Sequence, residues 1–112
     1  ASDVYKRQDA VLELDNEYIP TSFTLYHNYP NPFNPITTID YDIASDQFVR
    51  IIIYDVKGRV VNILVNQYQK AGFKSIQWNG TDLNSKPVSG GMYIYSIQAG
   101  NFRQTKKMIL LK

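Results

Sequence analysis

The sequence predicts an all-β fold, a sandwich of about seven antiparallel strands, and three observations carry that expectation. From Ser22 onward apolar and polar residues alternate with a period of two, the spacing of strands with one face buried. Turn signals separate these runs at short intervals, as in DVKG at 55–58, NG at 79–80 and AGN at 99–101. The chain holds 9 Tyr, 5 Phe and 1 Trp in 112 residues, a strand-favouring composition. No window carries an i, i+3, i+4, i+7 stripe as well as these runs carry alternation.

The first twenty residues stand apart. They carry Asp3, Asp9, Glu13, Asp15 and Glu17 and show no sustained pattern beyond VLEL. Residues 1–20 therefore read as a linker or the remnant of a longer protein, contributing little to the core, and 21–112 as the domain. Phe23 and Leu25 mark a short first strand. YPNPFNP follows at 29–35, where Pro30, Pro32 and Pro35 pre-set φ and steer Tyr29, Asn31 and Asn34 towards extended or turn geometry. Phe33 is the one large apolar side chain within it, and is expected to plug an end of the sandwich.

Ile39, Tyr41 and Ile43 alternate with Thr38, Asp40 and Asp42, which places both aspartates on the solvent face. In FVRIIIYDV, Val49, Ile51 and Ile53 share one face. Ile52 and Tyr54 make the other face apolar too, so this strand is expected to be central. Gly58 in DVKG can take a positive φ. RVVNILVN returns as a strand, and 66–72 is expected to be a loop with Gly72 in a left-handed position. FKSIQWNG sets Lys74, Ile76 and Trp78 in one phase, with Trp78 buried and the Lys74 stem over the core rim. Asn79-Gly80 and Asn84-Ser85 then break the chain. Tyr93, Tyr95 and Ile97 share a face of GMYIYSIQAG, and the last strand carries Phe102, Met108 and Leu110. Two sheets packed face to face would bury one face of each strand. A small barrel is the alternative, with Gly72, Gly91 and Gly100 as corners.

Composition narrows function mostly by exclusion. Cys 0 removes disulfides, thiolate nucleophiles and cysteine-ligated metals. A net charge of +2 with no long basic stripe is a poor footing for nucleic acid. No run approaches the ~18 apolar residues of a membrane helix, so no membrane insertion is expected. His27 is the only imidazole, and alternation puts it on the face opposite Ser22 and Thr24, where base and nucleophile cannot meet. Asp82-Leu83-Asn84 lacks the glycine and distal glutamate of a calcium loop and reads as an Asx-turn. No catalytic residue, metal ligand or cofactor site is expected, and hence no enzyme. Basic residues concentrate at the end, as Arg103, Lys106, Lys107 and Lys112. Lysines on an edge strand protect it from pairing with other chains, and equally suit an acidic partner.

Five blocks recur in order over about four-fifths of the chain: YPNPFNPITTIDYDI, IYDVKGRVV, AGFKSIQWNGTD, SGGMYIYSIQAG and TKKMILLK. In this the sequence resembles the C-terminal sorting domains of the type IX secretion system, and the related Ig-like domain of the flagellar hook-capping protein. The resemblance implies an Ig-like or fibronectin-III-like sandwich at the C-terminus of an exported Gram-negative protein, ending up secreted or on the cell surface. It implies outer-membrane secretion machinery as partner, an upstream cargo domain in cis, and in many members a sorting peptidase that removes the domain. Gly91 and Tyr93 match the family's G-x-Y block. Lys106, Lys107 and Met108 match its K-K-M block, with Leu110, Leu111 and Lys112 behind, and these residues become the expected recognition set. Trp78, Asn79 and Gly80 match its W-[DN]-G turn. Family members often have glycine where this chain has Ser85, just before Lys86-Pro87-Val88. A sorting module acting as a monomer is the leading expectation. A polysaccharide- or protein-binding module using Tyr5, Tyr18 or Tyr68, or a structural spacer, is the alternative.

Overall fold

The computed structural model describes residues 11–14 and 17–112, with side chains from Tyr18 onward. Of the stretch 1–20 read as a linker, residues 1–10, 15 and 16 thus lie outside the described residues. VLEL forms strand β1 (Val11–Leu14), which pairs antiparallel with β2 (Glu17–Pro20) in a hairpin.

Seven further strands make the sandwich. A three-stranded sheet runs in the order β3 (Thr24–Leu25), β4 (Thr37–Ile43), β7 (Gly72–Trp78). A four-stranded sheet runs β6 (Val60–Gln69), β5 (Gln47–Tyr54), β8 (Gly91–Ala99), β9 (Phe102–Leu110). Every pairing is antiparallel, and the two sheets stay separate, so the barrel alternative is set aside. The fourth sandwich strand, β6, joins the sheet of β5, β8 and β9. In constant-type immunoglobulin domains that strand joins the opposite sheet, so this is the fibronectin-III-like variant.

Alternation explains the core. Val49, Ile51 and Ile53 of β5 face inward, as do Tyr93, Tyr95, Ile97 and Ala99 of β8, and Met108 and Leu110 of β9. They meet Leu25, Ile39, Tyr41, Ile43 and Trp78 from the opposing sheet. Each large apolar side chain buried there contributes about 1.5–3 kcal/mol. As expected, β5 is central, flanked by β6 and β8.

Three expectations need correction. The segment 66–72 is not a loop: β6 continues through Gln69, pairing with Phe48, Val49 and Arg50 of β5, and only Lys70 and Ala71 connect it to β7. Its polar side chains mark an edge strand with one wet face, and the Gln69 amide oxygen accepts the Tyr41 hydroxyl at 2.8 Å. Gly72 accordingly has φ +157°, closer to extended than to left-handed backbone. Asp42 is not on a solvated face; it is fully buried and accepts the Tyr26 hydroxyl. Nearby, β2 lies against β4 and β7.

A polar knot ties the β3–β4 connection to β8. The Tyr95 hydroxyl donates to the Tyr26 carbonyl at 2.8 Å and accepts the Asn28 N–H at 2.9 Å. Asn28 Nδ2 donates to Thr37 Oγ1 at 3.0 Å, and that hydroxyl donates to the Pro30 carbonyl at 2.8 Å. Burial pushes the Tyr95 phenol up to about 12, and also raises that of Tyr41.

A raised phenol pKa stabilises the fold fully below the unfolded value near 10. Above it the unfolded chain releases its proton first, so stability falls until about pH 12. Urea midpoints measured across that alkaline range should decline, and the decline should shrink in Tyr95→Phe; a flat profile would contradict the buried phenol. Ser85 sits at φ +63°, a left-handed conformation that costs an L-residue about 1–2 kcal/mol. Ser85→Gly should therefore raise stability by up to about 1 kcal/mol after the entropy of glycine is subtracted, read as a higher denaturation midpoint.

Candidate functional site

The recognition residues expected from sequence converge on the end of β9, where alternation sorts them into two groups. Even-numbered side chains face the core, so Met108 and Leu110 are buried and Lys106 is half-buried. Odd-numbered ones face solvent, leaving Lys107 and Ile109 exposed, with Leu111 and Lys112 exposed beyond the strand. Tyr93 is buried opposite Met108, and its hydroxyl donates to the Ser89 carbonyl at 2.6 Å. Gly91, paired with Leu110, is exposed and has open space around it. Tyr93, Met108 and Leu110 are thus structural, and Lys107, Leu111 and Lys112 are what a partner could touch.

The YPNPFNP segment fixes this end in place. Its peptide bonds before Pro30, Pro32 and Pro35 are cis. The Phe33 N–H donates to the Ile109 carbonyl at 3.0 Å, and the Leu111 N–H donates to the Phe33 carbonyl at 2.8 Å. Asn31 Oδ1 accepts the Ile109 N–H at 3.0 Å. The outward backbone groups of Ile109 and Leu111, which an edge strand would leave bare, are therefore satisfied by a loop. Phe33 itself is buried, and its ring lies 5.7 Å from that of Trp78, which meets Tyr93 edge-on at 5.3 Å. Trp78 Nε1–H donates to the Thr81 carbonyl at 2.9 Å, so the buried indole leaves no orphan donor.

Two glycines let these pieces meet. Gly80 takes φ +72°, and a Cβ there would sit 3.3 Å from the Pro35 carbonyl oxygen and 3.4 Å from the Leu110 side chain. A Cβ on Gly90 would meet the Leu110 carbonyl oxygen and Lys112 Cβ, both at 3.1 Å. Sequence reasoning singled out Gly91 and passed over Gly90; the doublet at 90–91 was the available signal. Gly58 turns DVKG at φ +81°, with Asp55 Oδ1 accepting the Lys57 and Arg59 N–H groups.

The electrostatics of the site are one-sided. Strands β5, β6, β8 and β9 contain no Asp or Glu. Among the described residues the ion pair is Arg59–Asp55, and none involves Lys106, Lys107 or Lys112. His27 is exposed, and among the described residues no group of three His, Asp or Glu side chains could hold a metal. No helix among them is long and apolar enough to cross a membrane. Of the aromatic candidates for glycan stacking, Tyr18 and Tyr68 are exposed, while Tyr5 lies outside the described residues.

The family model for the secretion system C-terminal sorting domain matches residues 27–111, about three-quarters of the chain. Among solved structures, the dimeric latent PorU of Porphyromonas gingivalis aligns with a TM-score of 0.63 and 23% identity, over 80% of this chain and 9% of PorU. PorZ, an essential bacterial surface component of the type-IX secretion system of the same organism, aligns with a TM-score of 0.55 and 16% identity, over 100% of this chain and 13% of its own. FLGD from P. aeruginosa aligns with a TM-score of 0.53 and 22% identity, over 70% of this chain and 67% of its own. At these identities the likeness is one of fold, and the chain spans about a tenth of the PorU and PorZ chains. No curated protein matches the sequence.

Because the buried Phe33 ring closes the aromatic end against Trp78, Phe33→Ala should cost about 3–5 kcal/mol, as large core truncations do. Denaturant unfolding gives the value. A loss under about 1 kcal/mol would show that the segment merely lies over a core complete without it.

Proposed function

The chain belongs to the secretion system C-terminal sorting domain family, and from its secretion and sorting role we propose that it directs an attached cargo domain across the outer membrane through the type IX secretion machinery. The family match over residues 27–111 carries this reading. The domain acts as a non-catalytic address, and its one imidazole, His27, is exposed. The cargo emerges as a secreted or surface protein of a Gram-negative bacterium, and the domain works as a monomer and is a substrate for a sorting peptidase.

The machinery reads the exposed members of the terminal block. Lys107, Leu111 and Lys112 face solvent beside a buried scaffold of Tyr93, Met108 and Leu110, and the backbone of Lys107 and Leu111 is held by β8 and by Phe33 before a partner arrives. Exposed charges act mainly on encounter rate and salt dependence.

The test fuses the chain behind a reporter carrying a signal peptide, in a host that has the machinery. The wild-type fusion should reach the medium or cell surface. Lys107→Glu with Lys112→Glu should unfold within about 0.5 kcal/mol of wild type yet leave part of the reporter in the periplasm. Equal export of both would place recognition elsewhere on the fold. No export of the wild type would remove the sorting role.

A further inference from the structure

We infer that the outer face of the four-stranded sheet is a docking surface for an acidic protein segment, whose carboxylates are held by the row Arg50–Gln98–Arg103. This goes beyond the sorting role and does not depend on it. In the register of the sheet, Arg50 of β5 pairs with Gln98 of β8, which pairs with Arg103 of β9. The three side chains therefore share a face, with the two arginines about 10 Å apart at the usual strand spacing. Between them lies a recess of about 150 Å³ whose lining includes Ser96 and Thr105. Guanidinium, amide and hydroxyl donors thus converge where no carboxylate of the sheet balances them. Among the described residues neither arginine has an ion pair; Arg50 makes only a 3.4 Å contact with Asn66 Oδ1 and a 6.0 Å approach to the Phe48 ring. Planar guanidinium groups of this kind match carboxylates bidentately.

The apolar side chains on the same face choose the class of partner. Phe48, Ile63, Met92 and Ile109 are exposed there, whereas the three-stranded sheet exposes no large apolar side chain. An apolar area beside charge-complementary groups is the anatomy of a protein interface. A polysaccharide would want aromatic rings side by side, but Phe48 and Tyr68 meet at 83° and form no flat platform. A membrane surface would favour a broad lysine cluster over two arginines bordering a recess.

The probe is a labelled peptide of alternating glutamate and leucine, titrated into the ¹⁵N-labelled chain. Amides of Arg50, Ser96, Gln98, Arg103 and Thr105 should shift together at micromolar peptide. Replacing glutamate by glutamine in the peptide, or combining Arg50→Gln with Arg103→Gln in the protein, should weaken binding about tenfold at unchanged melting temperature. Raised salt should do likewise. The inference is overturned if the peptide shifts no amide of the row, if the double variant binds equally well, or if polygalacturonate or anionic phospholipid vesicles bind the row and the peptide does not. It is also overturned if the row is covered by a second copy, seen as dimerisation in sedimentation.

Discussion

Phe33 is held on three sides, and the order of the C-terminal end depends on that contact. Its ring packs on Trp78, its N–H and carbonyl bracket Ile109 and Leu111, and its segment is anchored at both ends by the Asn28, Thr37 and Tyr95 hydrogen bonds. A sandwich would otherwise fray here, because β9 is an edge strand and its last residues have no neighbour beyond β8. Covering the edge with a loop satisfies those groups, while three prolines limit the freedom that the covering segment loses on folding. Gly80 and Gly90 supply the space: the first where the segment crosses behind Leu110, the second where the chain passes Lys112.

That constraint separates scaffold from surface within a single short block. Met108 and Leu110 are committed to the core, so the alternating partners Lys107, Ile109 and Leu111 have no choice but to face outward. A partner meeting this end finds side chains whose backbone is already ordered, which lowers the entropy lost on binding. The other sheet is of opposite character, since it carries the half-buried Asp40 and exposes no large apolar group. The domain is therefore two-faced, with apolar and cationic groups gathered on the four-stranded side.

Much of this was legible in the sequence because alternation and turn chemistry are local. The inward sets of β4, β5, β8 and β9, the turn at Gly58 and the burial of Trp78 and Phe33 all follow from period two and from position. What escaped depends on partners distant along the chain. Gln67, Tyr68 and Gln69 look like loop residues until β5 is placed beside them. Asp42 has solvent-face phase, yet the Tyr26 hydroxyl and the surrounding packing bury it. Gly90 has an ordinary φ, and its necessity appears only when Leu110 and Lys112 are seen 3.1 Å from its missing Cβ. The carboxylate-free sheet was present in the composition of four separate strands, but the topology had to bring them together before it became a face.

Amide hydrogen exchange tests the central claim, that the loop at Phe33 fixes the end of β9. The Ile109 and Leu111 N–H groups point to the outer edge of the strand, as alternation also directs those of Arg103, Thr105 and Lys107. If Asn31 and Phe33 hold them, Ile109 and Leu111 should exchange only on global unfolding, while Arg103, Thr105 and Lys107 exchange fast. Equal, fast exchange at all five would mean that the loop does not fix the end, and that the terminal block is presented on a frayed strand.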